Sequence, residues 1–285
     1  MIQGESYGQA WSASLRRAPE SDLQLWLEFA LQLVDEADKV ALSFFRREPA
    51  ASTKVDGTFV TEADLRIEEL LRDRIAQRFP NHRITGEELG RDDADDAVRW
   101  YIDPIDATHN YMRGIPLFAT LIAAEWGDEL QLGVISAPAL GQRWYAARGL
   151  GAWTVGGSSR LSPRRLGVTS INSTADAQLL YRSVTDMAAS RVSAGFDALC
   201  GQVWRARGFG DFWGYALVAE GAAEVMVEQG LGPWDLAAPW VVIEEAGGRI
   251  TDFDGSRSLE RGEGFASNGV LHRSVLQRLQ GGARD

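Results

Sequence analysis

The sequence lacks the features expected of a nucleic-acid-binding or disulfide-bonded protein. Its formal net charge is −11 at pH 7, and no stripe of lysine and arginine offsets that charge locally. A surface of this sign repels a polyphosphate backbone, so we expect no nucleic-acid partner. Cys200 is the only cysteine, which excludes a disulfide bond within the chain and is compatible with a reducing compartment.

Long hydrophobic runs are also missing. The run at 117–124 is far too short to cross a bilayer, and no basic segment precedes a long apolar stretch near the N-terminus. We therefore expect a cytoplasmic protein with no membrane partner. A hydrophobic fraction of 45%, with ten tryptophans and eleven phenylalanines, is nevertheless enough to bury a large core.

The glycine signatures of nucleotide-binding folds are absent as well. No Gly-x-Gly-x-x-Gly fingerprint opens a helix, and there is no P-loop. Helices and strands instead alternate in a way that favours a layered α/β/α sandwich. Helices are predicted from residue 21 to before Pro49, from the capping box of Thr61 and Asp64 to Pro80, and over 212–219 and 237–246. Strands are predicted at 98–102, 118–126, 130–136, 143–154, 179–182 and 224–228.

The first residues of the chain differ from the rest. Residues 1–20 show no clear hydrophobic period and contain Gly, Ser and Pro, so we expect a loosely attached arm. Residues 21–285 are predicted to form one domain. Between its first two helices, residues 54–59 are expected to form an exposed turn.

What the sequence does have is three acidic segments at the edges of apolar stretches: GEE at 86–88, DPIDAT at 103–108 and WDLAA at 234–238. Asp103 and Asp106 flank Pro104, so their carboxylates can converge if the chain turns there. Converging carboxylates repel one another unless cations lie between them, and Mg²⁺ prefers such oxygen ligands. Two such ions would suit hydrolysis of a phosphate ester. Each segment taken alone is more often a solvated turn or a helix cap.

Together the three segments resemble the inositol-monophosphatase superfamily, whose pattern is Gly-Glu-Glu, Asp-Pro-Ile-Asp-Gly-Thr and Trp-Asp-x-Ala-Ala in this order. The resemblance extends over 23–279. It implies an αβαβα sandwich with pseudo-symmetric halves at about 21–155 and 156–285, and a homodimer. It also implies two or three Mg²⁺ ions per site and a small-molecule phosphate ester as substrate.

The resemblance further implies a role for individual residues. The metal ligands would be Glu87, Asp103, the carbonyl of Ile105, Asp106 and Asp235, with Asp103 bridging two ions. Asp64 matches a further acidic position near the metals and is counted with the catalytic residues.

The segment after Asp106 would bind water and phosphate. Thr108, together with Glu87, would orient and deprotonate the attacking water. The amides of Ala107 and Thr108 would bind phosphate oxygens at the start of a helix. Lys54 falls in the family's mobile loop. Ala107 replaces the family's usual glycine, which matters only if the backbone there needs a positive φ.

Several further segments most resemble the histidinol-phosphate phosphatase branch of this family, above all the Gly-Asp-Phe stretch at 210–212. Asp211 and Glu228 match positions that would contact the organic part of the substrate, where a carboxylate would favour the ammonium group of histidinol phosphate. The resemblance therefore implies hydrolysis of L-histidinol phosphate to L-histidinol and phosphate, a step of histidine biosynthesis. The family leaves inositol 1-phosphate and other small esters open, and a non-catalytic metal- or phosphate-binding relative is a further alternative.

Overall fold

The structure is a computed structural model that describes residues 16–46, 51–53, 59–92, 97–157 and 159–281. Most of the predicted N-terminal arm and Lys54 lie outside the described residues. Within those ranges the helices are α1 (Glu20–Phe44), α2 (Glu62–Arg78), α3 (Thr108–Met112), α4 (Val184–Ala188), α5 (Ser193–Cys200), α6 (Asp211–Ala219), α7 (Pro233–Glu245) and α8 (His272–Leu279).

The strands fall into three sheets. Their bounds are β1 (Ala51–Thr53), β2 (Phe59–Thr61), β3 (Arg83–Gly86), β4 (Gly90–Arg91), β5 (Val98–Asp106), β6 (Ala119–Trp126), β7 (Glu129–Ala137), β8 (Gln142–Ala147), β9 (Gly151–Gly156), β10 (Ser159–Arg165), β11 (Gln178–Tyr181), β12 (Arg205–Arg207), β13 (Val225–Gln229), β14 (Arg249–Thr251) and β15 (Glu263–Ser267). The large sheet has the order β10-β9-β8-β7-β6-β5-β3-β4, the second has the order β12-β11-β13-β15-β14, and β1 pairs with β2 alone.

Three buried cores separate five layers. The first core joins α1 and α2 to one face of the large sheet. The second lies between the opposite face of that sheet and the five-stranded sheet, and it contains the buried faces of α6 and α7. The third covers the outer face of the five-stranded sheet with α5 and α8. This arrangement confirms the αβαβα sandwich predicted from the sequence.

The middle layer lies unusually close to the large sheet where α7 crosses β7. A Cβ atom at Gly133 would lie only 2.3 Å from the carbonyl oxygen of Ala238, so a side chain there would push the helix away. This contact fixes the height of α7 above the sheet, and α7 carries one of the three acidic segments.

Two predicted elements were wrong in their bounds. The strand predicted at 143–154 is a hairpin of β8 and β9, because the chain reverses at Gly149, whose φ is 73°. The helix predicted at 237–246 begins earlier, at Pro233. Proline presets the backbone angle of a first helical turn, and the Asp235 side chain accepts the N–H of Gly232 in a capping arrangement. The predicted capping box of Thr61 and Asp64 is confirmed.

Within the described residues, none of the helices has both the length and the hydropathy that crossing a bilayer requires. The large sheet takes its strands from Arg83 to Arg165, so it continues past residue 155. The division into halves at that point stays a prediction.

A left-handed residue joins β5 to α3. Ala107 has φ 65° and ψ 45°, a region that residues with a Cβ atom enter at a cost of about 1–2 kcal/mol. Its carbonyl accepts the amides of Asn110 and Tyr111 at 2.8 and 3.1 Å, which anchors the strained turn to the helix that follows. The positive φ considered from the sequence is therefore present.

Replacing Ala107 by glycine removes this strain. We expect Ala107→Gly to raise the free energy of unfolding by about 0.5–1 kcal/mol, since glycine relieves the left-handed strain but loses part of the gain to a more flexible unfolded chain. Ala198→Gly, at an exposed site inside α5, is the matched control and should lower it by about 1 kcal/mol. Urea denaturation measures both, and a destabilising Ala107→Gly would contradict the strain.

Candidate metal centre

A bulge in β5 brings the two aspartates of the second acidic segment to one face of the large sheet. Asp103 lies opposite Leu121 of β6, and Asp106 lies opposite Ala119, so three residue steps on β5 match two on β6. Leu121 and Ala119 are two apart and therefore share a face. Both belong to the middle core, so Asp103 and Asp106 point towards α6 and α7. Without the bulge, residues three apart on a strand would point in opposite directions.

The third aspartate comes from the first turn of α7. Oxygens of Asp103, Asp106 and Asp235 all lie within 4.8 Å of one another. Asp103 and Asp106 are 1% and 8% exposed, and Asp235 is half-buried. Three acidic groups from two distant parts of the chain thus meet between the large sheet and the middle helices.

Two of these carboxylates are held by helix N-termini. Asp106 Oδ2 accepts the backbone N–H of Phe212, in the first turn of α6, at 2.6 Å. Asp235 Oδ2 accepts the N–H of Gly232, just before α7, also at 2.6 Å. Free amides at a helix start favour negative charge, so both interactions orient the side chains and stabilise their ionised form.

Asp103 is not held in this way. Within the described residues, neither of its buried oxygens accepts a hydrogen bond from a backbone amide or a neutral or cationic side chain, and the group beside them is another carboxylate, that of Asp235. Burial, followed by the charges of Glu87, Asp106 and Asp235, raises the pKa of Asp103 well above its usual value. Burial and the charge of Asp211 likewise raise the pKa of Asp106.

The pKa of Asp235 behaves similarly. Loss of solvent around its carboxylate and the charge of Glu87 raise that pKa to about 7. A cluster of this kind is unstable as a set of bare anions. Hard divalent cations prefer carboxylate oxygens, and a cation here would satisfy the unpartnered oxygens of Asp103 and reverse the repulsion. The residues present therefore fit a divalent metal ion.

Glu87 adjoins this group without belonging to the three that converge. It occupies the turn after β3, and its amide donates to the carbonyl of Ile102 at 3.2 Å. Its charge also acts on Asp64. Burial, and to a smaller extent the charge of Glu87, raise the pKa of Asp64 to about 6. Asp64 is fully buried, and its Oδ1 has no hydrogen-bond partner among the described residues.

Two side-chain hydroxyls bind backbone carbonyls of the bulge. Thr108 donates its hydroxyl to the carbonyl of Ile105 at 3.0 Å, and Thr120 donates to the carbonyl of Pro104 at 2.8 Å. The helix predicted after Ala107 is confirmed, but α3 has only five residues. Its dipole is therefore weak, and an anion near Ala107 and Thr108 would be bound by individual amides.

The two predicted substrate-contacting carboxylates lie in different positions. Asp211 lines a cavity of about 330 Å³ beside the carboxylate cluster, together with the rings of Phe209 and Trp213, whose centres are 5.0 Å apart. Glu228 is 1% exposed and does not line that cavity; it lies next to Tyr215. Burial and then the charge of Asp211 raise the pKa of Glu228 to about 8. Trp213 is half-buried and also packs against the middle core.

Arg182 is a site residue that sequence reasoning missed. It lines the same cavity, lies 3.4 Å from Glu228 Oε1 and bonds Asp186 Oδ2 at 3.0 Å. Its position directly after β11 could have indicated a role in the site, because binding groups favour the carboxyl ends of strands. Arg182 acts on both carboxylates: burial raises the pKa of Asp211, and the charge of Arg182 opposes that rise, as it does for Glu228. Of the two carboxylates, Asp211 is the one on the cavity wall.

The chain is similar to known proteins over most of its length. The inositol monophosphatase family matches residues 22–282. The chain is 40% identical to a histidinol-phosphatase of Mycobacterium tuberculosis over 90% of this chain and 98% of the relative. It is 41% identical to a histidinol-phosphatase of Streptomyces coelicolor over 89% of this chain and 96% of the relative.

A solved structure agrees as well. An IMPase from Thermotoga maritima superposes with a TM-score of 0.78 and 28% identity, over 90% of this chain and 96% of the other. The resemblance read from the acidic segments is confirmed. The chain belongs to the inositol monophosphatase family.

Proposed function

We propose that this protein is a Mg²⁺-dependent phosphomonoesterase that hydrolyses L-histidinol phosphate to L-histidinol and phosphate. The observation that carries the proposal is the meeting of Asp103, Asp106 and Asp235, with both oxygens of Asp103 buried and unpartnered. The two relatives at about 40% identity are named histidinol-phosphatases, which supports the choice of ester.

The metal would be held by the carboxylates of Glu87, Asp103, Asp106 and Asp235 and by the carbonyl of Ile105. Bound Mg²⁺, two or three ions in this proposal, would supply positive charge that offsets the phosphate and lowers the pKa of a bound water. The protein contributes rigidity: Asp106 and Asp235 are fixed by backbone amides before any ion arrives.

Water activation falls to Thr108 and Glu87. Thr108 donates a hydrogen bond from its hydroxyl to the Ile105 carbonyl, so the lone pairs of its oxygen can accept a hydrogen bond from the attacking water and orient it. Glu87 would remove the single proton that the water loses as it attacks. Asp64, whose charge interacts with that of Glu87, would be the further catalytic carboxylate beside it. The amides of Ala107 and Thr108 would bind the phosphate oxygens.

The organic half of the substrate would occupy the cavity next to the cluster. Phe209 and Trp213 offer ring faces for an imidazole, and Asp211 offers a carboxylate for an ammonium group. Glu228, 3.4 Å from Arg182, remains a candidate contact, but it is buried and does not line the cavity. The substrate role of both carboxylates is part of the proposal, as are a place in histidine biosynthesis, a cytoplasmic location and a homodimer.

Phosphate release tests this proposal. Wild-type protein with Mg²⁺ should release phosphate from L-histidinol phosphate in preference to inositol 1-phosphate, fructose 1,6-bisphosphate and 3′-phosphoadenosine 5′-phosphate, and EDTA should abolish release. Asp103→Asn should also abolish phosphate release, because the substitution removes a carboxylate charge that would bind the metal. Preference for another ester would refute the substrate, and near-normal turnover by Asp103→Asn would refute the metal assignment.

The matched control is Asp73→Asn, at an exposed position on α2, which should leave turnover unchanged. Folding is measured separately by denaturation in EDTA at pH 8. Burial raises the pKa of Asp103, so its ionised form destabilises the metal-free fold at this pH. Asp103→Asn should therefore be at least as stable as the wild type without metal, which separates loss of chemistry from loss of structure.

The substrate contact is tested by charge removal on the cavity wall. Asp211→Asn should lower kcat/KM for L-histidinol phosphate roughly tenfold or more, because a charge-assisted hydrogen bond is lost, and should affect inositol 1-phosphate less. Glu228→Gln, measured with the same two esters, compares the second carboxylate. Equal losses on both esters in Asp211→Asn would remove Asp211 as the selector, and a selective loss in Glu228→Gln alone would transfer that role to Glu228.

A further inference from the structure

We propose that Glu68 is a positioning residue that fixes the turn carrying Glu87 and thereby aims Glu87 at the metal centre. The inference rests on the proposed metal-binding role of Glu87. Glu68 lies on α2, one helical turn after Asp64. It belongs to none of the three acidic segments.

The carboxylate of Glu68 lies inside the protein, and its oxygens accept hydrogen bonds from the turn that carries Glu87. It is fully buried. Its Oε2 accepts the backbone N–H of Glu88 at 2.8 Å, and its Oε1 accepts the N–H of Leu89 at 3.1 Å. These are the two residues directly after Glu87. Burial of a charged group is costly unless it is hydrogen-bonded, so this carboxylate and the turn hold each other in one geometry.

The strand before the turn is shaped to accept the carboxylate. A Cβ atom at Gly86 would lie 2.0 Å from Glu68 Oε1, well inside van der Waals contact. Gly86 itself has an ordinary backbone conformation, since it is absent from the residues with positive φ. The glycine of the Gly-Glu-Glu segment is therefore explained by the close approach of Glu68 and not by backbone freedom.

Arg72 extends the same support to the far end of the turn. Its Nε donates to Glu68 Oε1 at 2.8 Å, its Nη1 bonds Asp92 Oδ1 at 2.7 Å, and its Nη2 donates to the carbonyl of Gly90. Glu68 and Arg72 are one turn apart on one face of α2. Together they bind the backbone of residues 88–90 and the side chain of Asp92.

Glu87 is thereby fixed from both sides. Its own amide donates to the Ile102 carbonyl of β5, and the next two amides donate to Glu68. The same helix carries Asp64, whose pKa responds to the charge of Glu87. Helix α2 therefore sets the position of Asp64 and, through Glu68, that of Glu87. A carboxylate ligand that is oriented in advance loses less freedom when it binds a metal.

Glu68→Gln tests the proposal with nearly the same side-chain shape. Glutamine has one carbonyl oxygen and an amide that only donates, so it cannot accept both backbone amides as the carboxylate does. Calorimetric titration of the full chain with Mg²⁺ alone should give a dissociation constant raised roughly tenfold, the effect typical of groups that orient metal ligands. The Mg²⁺ concentration that half-activates phosphate release should rise by a similar factor.

Glu69→Gln is the matched control, because Glu69 is the exposed neighbour on the same helix and should bind Mg²⁺ as the wild type does. A purely structural role for Glu68 would lower the denaturation midpoint of Glu68→Gln without changing its Mg²⁺ dissociation constant, and that result would overturn the proposal. If Glu68→Gln does not fold, Arg72→Gln decides in its place: weaker Mg²⁺ binding supports the proposal, and unchanged binding overturns it.

Asp103→Asn distinguishes this inference from the proposed function. If Asp103→Asn leaves Mg²⁺ binding unchanged, the metal centre itself is refuted. If Asp103→Asn abolishes binding while folded Glu68→Gln binds Mg²⁺ as the wild type does, the metal centre stands and only the role of Glu68 is refuted.

Discussion

Repulsion among converging carboxylates is the constraint on which the rest of this structure depends. Asp103, Asp106 and Asp235 place oxygens within 4.8 Å of one another, and two of these side chains are buried. As bare anions they would destabilise the fold, and the raised pKa values express that cost. A fold that holds them together nevertheless is one in which a cation belongs between the large sheet and the middle helices.

The architecture provides this convergence with rigid elements. The bulge in β5 turns Asp103 and Asp106 to the same face, and amides at the starts of α6 and α7 hold Asp106 and Asp235. Gly133 allows α7 to lie close against the sheet. The left-handed Ala107 turns the chain immediately after the bulge. Strain and close packing thus occur where the site needs fixed geometry.

The family, the layered fold and the phosphatase class could be predicted from the sequence, because the acidic segments are local patterns along the chain. The comparisons confirm all three predictions. The sequence could not predict what depends on distant partners. The bulge that aligns Asp103 with Asp106 is visible only in the pairing of β5 with β6. The contacts of Arg182 and Glu68 likewise join separate segments. The sequence prediction placed the start of α7 too late, because the regular spacing of apolar residues begins only after Asp235. The first turn is instead determined by Pro233 and by the capping contact of Asp235.

We infer that the three converging aspartates bind metal through their own oxygens. A crystal structure with saturating Mn²⁺, located by its anomalous scattering, tests that binding. We expect a Mn²⁺ ion at bonding distance from oxygens of Asp103, Asp106 and Asp235, with further density beside Glu87. A well-ordered site without an ion, its three carboxylates protonated and hydrogen-bonded to one another, would contradict it.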